Sequence, residues 1–158
     1  MTGIRITYLD ISPRQTGKTE RLIQCAKPYL AAGRNVRFVT CDGLVEDIQR
    51  RLPSARILSN SEALLDDTDD CVWFYDEFDW LDSTKIRPGA YYATTPKFLR
   101  RLGVDTAEND LLLRLIEANN GHFQRYTWPF YMGDTLSEAR LVHSPEEFRL
   151  LYLGEFLK

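Results

Sequence analysis

The stretch Ser12-Pro13-Arg14-Gln15-Thr16-Gly17-Lys18-Thr19 decides how this chain reads. It follows an apolar run, Ile4 to Ile11, that has the composition of a strand. It precedes Arg21 to Ala26, whose apolar residues recur at helical spacing. Strand, Gly-Lys-Thr turn and helix, in that order, form the context in which such a turn holds phosphate. Backbone N–H groups of the loop point inward and the helix N-terminus adds partial positive charge, so all eight residues are candidate nucleotide contacts. Lys18 is placed for the β- and γ-phosphates, and the Thr19 hydroxyl for a Mg²⁺ shell. The common pattern has Gly where Ser12 stands, and an ordinary turn before a helix is the competing reading of this segment alone.

The 158 residues suit a single domain, 1–158, that buries roughly 70% of its unfolded surface. With 44% hydrophobic and 27% charged residues the chain has the balance of a soluble globular protein. No apolar run reaches the ~20 residues a membrane span requires, and no secretory signal opens the chain, so an intracellular protein is expected. Cys25, Cys41 and Cys71 are odd in number and form no C-x-x-C pair, which fits buried free thiols. His122 and His143 lie near no second ligand pattern and read as surface or loop residues. A net charge of −3 argues against a protein coated in basic charge for standing nucleic-acid binding. Lys97, Arg100, Arg101 and the pair Arg50-Arg51 remain candidates for a local basic surface, or simply for solvated helix faces.

Beyond the first helix, Asn35–Cys41 alternates as a strand. Leu44–Leu52 has helical spacing and is stopped by Pro53. Arg56–Leu58 is a short strand and Ser61–Leu65 a short helix. Cys71-Val72-Trp73-Phe74-Tyr75 is the kind of apolar run found in a strand buried on both faces of a parallel sheet. Ala90–Thr94 is a further strand, Thr106–Asn119 a helix capped by Thr106, and Phe123–Tyr131 strand-like. Ser144-Pro145-Glu146-Glu147 opens a last helix, with Ser as cap and Pro at its first position. Alternation of this kind predicts an α/β fold, a mostly parallel sheet with helices on both faces.

Asp76-Glu77 directly follows the buried run. At the carboxyl end of a strand both carboxylates lie beside the phosphate loop. The first acid suits Mg²⁺ and the second suits polarising an attacking water, the two roles that phosphoanhydride hydrolysis needs. The plainer alternative is a solvated acidic loop, since Asp79 and Asp82 continue the acidity. Thr94 and Thr95 end the next strand with two hydroxyls that could bond the γ-phosphate or the lytic water, or simply form a Thr-Pro turn. Arg14 could reach a γ-phosphate from within the loop or pair with a local acid. Tyr91, Tyr92, Trp128, Phe130 and Tyr131 read as core and sheet residues.

Together these segments resemble one family, the ATPase domain of the large terminase subunit that packages DNA in tailed bacteriophages. Pro13-Arg14-Gln15-Thr16-Gly17-Lys18-Thr19 is similar to its deviant phosphate loop, and Trp73-Phe74-Tyr75-Asp76-Glu77-Phe78 to its metal strand with catalytic Glu. Ala93-Thr94-Thr95-Pro96 is similar to its coupling motif, and Phe148-Arg149-Leu150-Leu151-Tyr152-Leu153-Gly154-Glu155-Phe156 to the segment that closes the domain. The resemblance covers the chain from about residue 4 to its end.

It implies a P-loop NTPase of the additional-strand class, in which the strand ending at Thr94 lies between the phosphate-loop strand and the Asp76 strand. It also implies ATP and Mg²⁺ as cofactors and a homo-oligomeric ring, often a pentamer, in the host cytoplasm. The implied partners are double-stranded DNA, a portal and a small terminase subunit, and a separate nuclease chain is a candidate that the sequence leaves open. By the same carry-over, Lys18 and Thr19 bind phosphate and metal, Asp76 holds Mg²⁺, Glu77 activates water, Arg14 is the cis arginine, and Thr94 and Thr95 couple hydrolysis to motion. Arg100, Arg101, Arg114 and Arg125 are candidates for an arginine acting in trans. Eleven residues precede the loop, so the upstream adenine segment is expected to be lacking, and Leu151 stands where the family often has Glu. The chain ends where a nuclease domain would begin, so no nuclease activity is expected. The alternative is a nucleotide-binding phage protein of the same fold that acts as a switch or partner-binding subunit. A helicase-like ATPase lacks room for its second core domain, and a small-molecule kinase lacks an Arg-rich lid.

Overall fold

The computed structural model describes residues 3–127 and 133–157, the side chains of 133–135 excepted. The strands are β1 (Tyr8–Ile11), β2 (Val36–Val39), β3 (Arg56–Leu58), β4 (Val72–Asp76) and β5 (Tyr91–Thr94). The helices are α1 (Lys18–Ala31), α2 (Val45–Arg51), α3 (Asn60–Leu64), α4 (Leu111–Ala118), α5 (Gly133–Val142) and α6 (Pro145–Phe148). Among the described residues one sheet forms, in the order β1-β5-β4-β2-β3, with every pair parallel. The strand ending at Thr94 thus lies between the phosphate-loop strand and the Asp76 strand.

Why β4 is central follows from its residues, since all of Val72–Asp76 is buried. Successive side chains point to opposite faces. Trp73 and Tyr75 join the cluster beneath α3 and α4 with Leu112 and Leu115, while Val72 and Phe74 join the cluster beneath α1 and α2 with Leu22, Ile23 and Ile48. Parallel register stacks aromatic rings across the strands. Phe38 lies over Phe74 at 5.9 Å and Phe74 over Tyr91 at 4.6 Å on one face, and Tyr75 over Tyr92 at 5.1 Å on the other. Such cross-strand pairs fix the register that brings the carboxyl ends of β4 and β5 side by side at the site.

Four local expectations change. The strand expected from Ile4 begins only at Tyr8. The helix expected over 106–119 begins at Leu111, because Asp110 accepts from the N–H groups of both Leu112 and Leu113. Thr106 closes only a turn, with its carbonyl accepting from Asn109 and Asp110. The strand expected over 123–131 is, in its described part, a single bridge of Gln124 to Asp10 on the outer edge of β1, and Trp128, Phe130 and Tyr131 lie outside the described residues. The three thiols are free but only half-buried. Among the described residues no helix is long and apolar enough to cross a membrane.

Candidate active site

The candidate phosphate loop is shaped by its own backbone. Gln15 (φ 58°) and Gly17 (φ 86°) are both left-handed, the alternation that turns successive N–H groups toward one centre. The Thr16 hydroxyl and the Lys18 ammonium both donate to the Pro13 carbonyl, at 2.9 and 3.0 Å. Ser12, which stands where the common pattern has Gly, is fully buried and has work for its hydroxyl. It donates to Asp10 and accepts from the Tyr126 N–H at 2.9 Å. Asp10 in turn pairs with Arg21 at 2.8 Å, so the loop is tied to β1 and α1 from within. Asp10, Ser12 and Arg21 are close along the chain, but Tyr126 joins them from 114 residues beyond Ser12, where no sequence signal marks it.

The carboxyl ends of the strands meet the loop. Asp76 is fully buried, and its Oδ2 accepts from the Thr19 hydroxyl at 2.9 Å and the Thr40 hydroxyl at 3.2 Å. Its Oδ1 is buried without a partner among the described atoms. Burial, and then the charge of Glu77, push Asp76 up to about 6. An orphaned carboxylate oxygen beside a hydroxyl, with its charge destabilised by burial, is a donor set suited to a hard divalent cation. Thr19 and Asp76 therefore fit Mg²⁺, and Thr40 is a support that sequence reading missed.

Glu77 takes a left-handed conformation (φ 55°), which a non-glycine residue rarely adopts without support. The support is the Thr95 N–H, which donates to Glu77 Oε1 at 2.8 Å. Burial raises its pKa above the ordinary carboxylate range, with Lys18 opposing. Thr94 donates its hydroxyl proton to the Thr95 carbonyl and accepts from the Asp79 N–H at 3.2 Å, while Thr95 Oγ1 is buried without a partner among the described atoms. Asp79 is not a solvated acid. It pairs with Arg100, which is 1% exposed and also pairs with Asp110.

That burial removes Arg100 from the arginines available to a neighbouring subunit and from any basic surface. Arg50 and Arg51 stay on the surface, in exposed ion pairs with Asp47 and Glu20. Arg114 donates to the carbonyls of Ala107 and Glu108, Arg125 to that of Leu153, and Arg101 is exposed. Arg14 is exposed on the loop, with its guanidinium 5.7 Å from the Tyr152 ring centroid and its N–H donating to Leu151 at 2.8 Å. Gly154 (φ 66°) abuts the same loop so closely that a Cβ there would lie 2.7 Å from the Pro13 nitrogen. The closing segment is therefore a wall of the phosphate loop.

No protein-family model and no curated protein matches the chain. Among solved structures, the large terminase ATPase domain of Thermus phage P74-26 is 16% identical, with 99% of this chain and 90% of that one covered and a TM-score of 0.60. A point mutant of that domain gives 18% identity at the same coverage and TM-score. The chain thus shares the fold of phage large terminase ATPase domains.

Proposed function

We propose that this chain hydrolyses ATP to ADP and phosphate with Mg²⁺, as the motor ATPase of a viral DNA-packaging machine. The observation that carries this reading is the meeting of Thr19 with Asp76 at 2.9 Å, leaving Asp76 Oδ1 buried and unpartnered next to Glu77. The fold shared with phage terminase ATPase domains supports the packaging context. Double-stranded DNA, a portal, a small terminase subunit and a homo-oligomeric ring belong to this proposal.

The chemistry follows from the side chains. Loop N–H groups and Lys18 hold the β- and γ-phosphates, with Lys18 exchanging its bond to Pro13 for a phosphate oxygen. Thr19 and Asp76 would hold magnesium, which neutralises phosphate charge when it binds with the nucleotide. Glu77 keeps Oε1 on the Thr95 N–H and accepts a proton from water with its other oxygen. The water oxygen bonds to the γ-phosphorus as the bond to the β–γ bridging oxygen breaks, and ADP leaves with that electron pair. Burial makes Glu77 a stronger proton acceptor than an exposed carboxylate. Arg14, from within the loop, stabilises charge on the transferring phosphoryl group. Thr95 senses the step because its N–H shares the carboxylate that handles the water.

Steady-state hydrolysis with Mg²⁺, with and without double-stranded DNA, tests this reading. Turnover should fall by at least ~100-fold in Glu77→Gln with nucleotide binding retained, and should vanish with binding in Lys18→Ala. Binding without turnover in the parent protein, whatever DNA or partner is added, would instead identify a nucleotide-held switch subunit.

A further inference from the structure

Behind Glu77 lies a buried ion-pair cluster that the proposed chemistry does not use. Arg100 grips Asp79 with two nitrogens, Nη1 to Oδ2 at 2.9 Å and Nη2 to Oδ1 at 2.7 Å. Its Nε donates to Asp110 at 2.8 Å, and Nη1 also donates to the Phe98 carbonyl at 2.9 Å. Burying an arginine and two aspartates is costly unless the geometry is good, and the bidentate pair supplies that geometry.

The position of Asp79 gives the pair a role beyond stability. Asp79 sits two residues after Glu77 in the 3₁₀ turn Phe78–Trp80. It holds the loop after β5 at both ends: its N–H donates to Thr94 Oγ1 at 3.2 Å and its Oδ2 accepts from the Lys97 N–H at 2.8 Å. Between those two contacts, the Thr95 N–H bonds Glu77 and the Thr95 carbonyl accepts from Trp80 Nε1 at 2.9 Å. The Glu77 carboxylate is thus aimed by an amide whose own placement depends on Asp79. Arg100 fixes that acid in one orientation, and Lys could not reproduce its planar fork.

We infer that Asp79, clamped by Arg100, is a positioning residue for Glu77: it sets the Thr94–Lys97 loop so that the Thr95 amide aims the water-activating carboxylate. The inference rests on the ATPase reading. Asp110 supplies an internal control. It pairs with the same guanidinium and caps α4, but among the described residues it makes no hydrogen bond or ion pair with the Thr94–Lys97 loop, and Asn caps helices as well as Asp does.

The experiment compares Asp79→Asn, Asp110→Asn and Arg100→Lys with the parent protein and Lys18→Ala. It measures kcat, KM for ATP, the Kd of a fluorescent nucleotide analogue and the melting temperature. Asp79→Asn should lower kcat at least tenfold with KM and Kd within about twofold, and Arg100→Lys should lower kcat in the same direction. Asp110→Asn should lose as much melting temperature as Asp79→Asn yet keep kcat within about twofold. Equal kcat losses in Asp79→Asn and Asp110→Asn, tracking the melting temperature, would overturn the positioning role. So would an unchanged kcat in Asp79→Asn beside an active parent and an inactive Lys18→Ala. A parent protein that binds nucleotide but never turns over would defeat the ATPase reading itself, and this inference with it.

Discussion

The two walls of the site are built in opposite ways. The phosphate-loop wall closes on itself, with Thr16 and Lys18 donating to the Pro13 carbonyl three and five residues away. The Glu77 wall is assembled across the sheet, from contacts spanning 18 residues for Glu77 with Thr95, 15 for Asp79 with Thr94 and 21 for Arg100 with Asp79. The bonds inside that loop are local, and its long-range contacts, from Tyr126 to Ser12 and from Arg14 to Leu151, brace it from outside. A wall made of long-range polar contacts holds its geometry only while the core and the buried charges are intact. Binding and turnover should therefore respond differently to damage in the two places.

The largest expected effect sharpens that contrast. Arg100→Met leaves Asp79 and Asp110 buried without their cation and should cost about 3–5 kcal/mol of stability, read as a shift of the urea midpoint. Lys18→Ala, on the self-closing wall, should lose nucleotide binding with a far smaller midpoint shift. Comparable losses in the two variants would erase the distinction.

Next comes Asp76, where the walls meet. Its folded pKa is raised from 3.8 to about 6, so its protonated form is the one that favours folding. That contribution is complete below pH 3.8 and is lost as pH rises through 6. Above that window the ionised group costs on the order of 3 kcal/mol without a cation. Asp76→Asn does not titrate and should be more stable than the parent at pH 7.5 without Mg²⁺, with the gain shrinking toward pH 4. Thermal melts across that range check the sign, and a gain that grows on acidification would refute the assignment.

The smallest effect concerns the closing segment. Gly154→Ala forces a left-handed alanine and sets its Cβ 2.7 Å from Pro13 N, which should cost about 2 kcal/mol. Because the strain falls on the self-closing wall, nucleotide affinity should drop more than kcat. A kcat loss at unchanged affinity would show that the closing segment serves the other wall.

Particular residues show what was legible. The Cys71–Tyr75 run reads as a doubly buried strand, and Val72–Asp76 is one. The Ser144 capping box and the Pro at the next position predict the start of α6 where it occurs. Thr106 misleads, because Asp110 competes for the helix start and gains two N–H groups there. Helix α5 (Gly133–Val142) was not expected, since its apolar residues follow no clear helical repeat. Asp79 reads from the sequence as one of several acids in a polar turn. Its partner Arg100 lies 21 residues away and reads as one of several exposed bases.

By itself the sequence determined the strand, loop and helix order around Gly17-Lys18-Thr19, the buried central strand and the pair of carboxylates that follows it, because each depends on neighbours within a turn or a strand. The tertiary structure alone decided which acid is solvated and which is clamped, that Thr40 joins Thr19 on Asp76, and that Gly154 must be glycine. Those outcomes depend on which distant segments the sheet order brings within hydrogen-bond reach. Burial makes each such pairing binding, because a charge or N–H enclosed without a partner costs far more than one left in water.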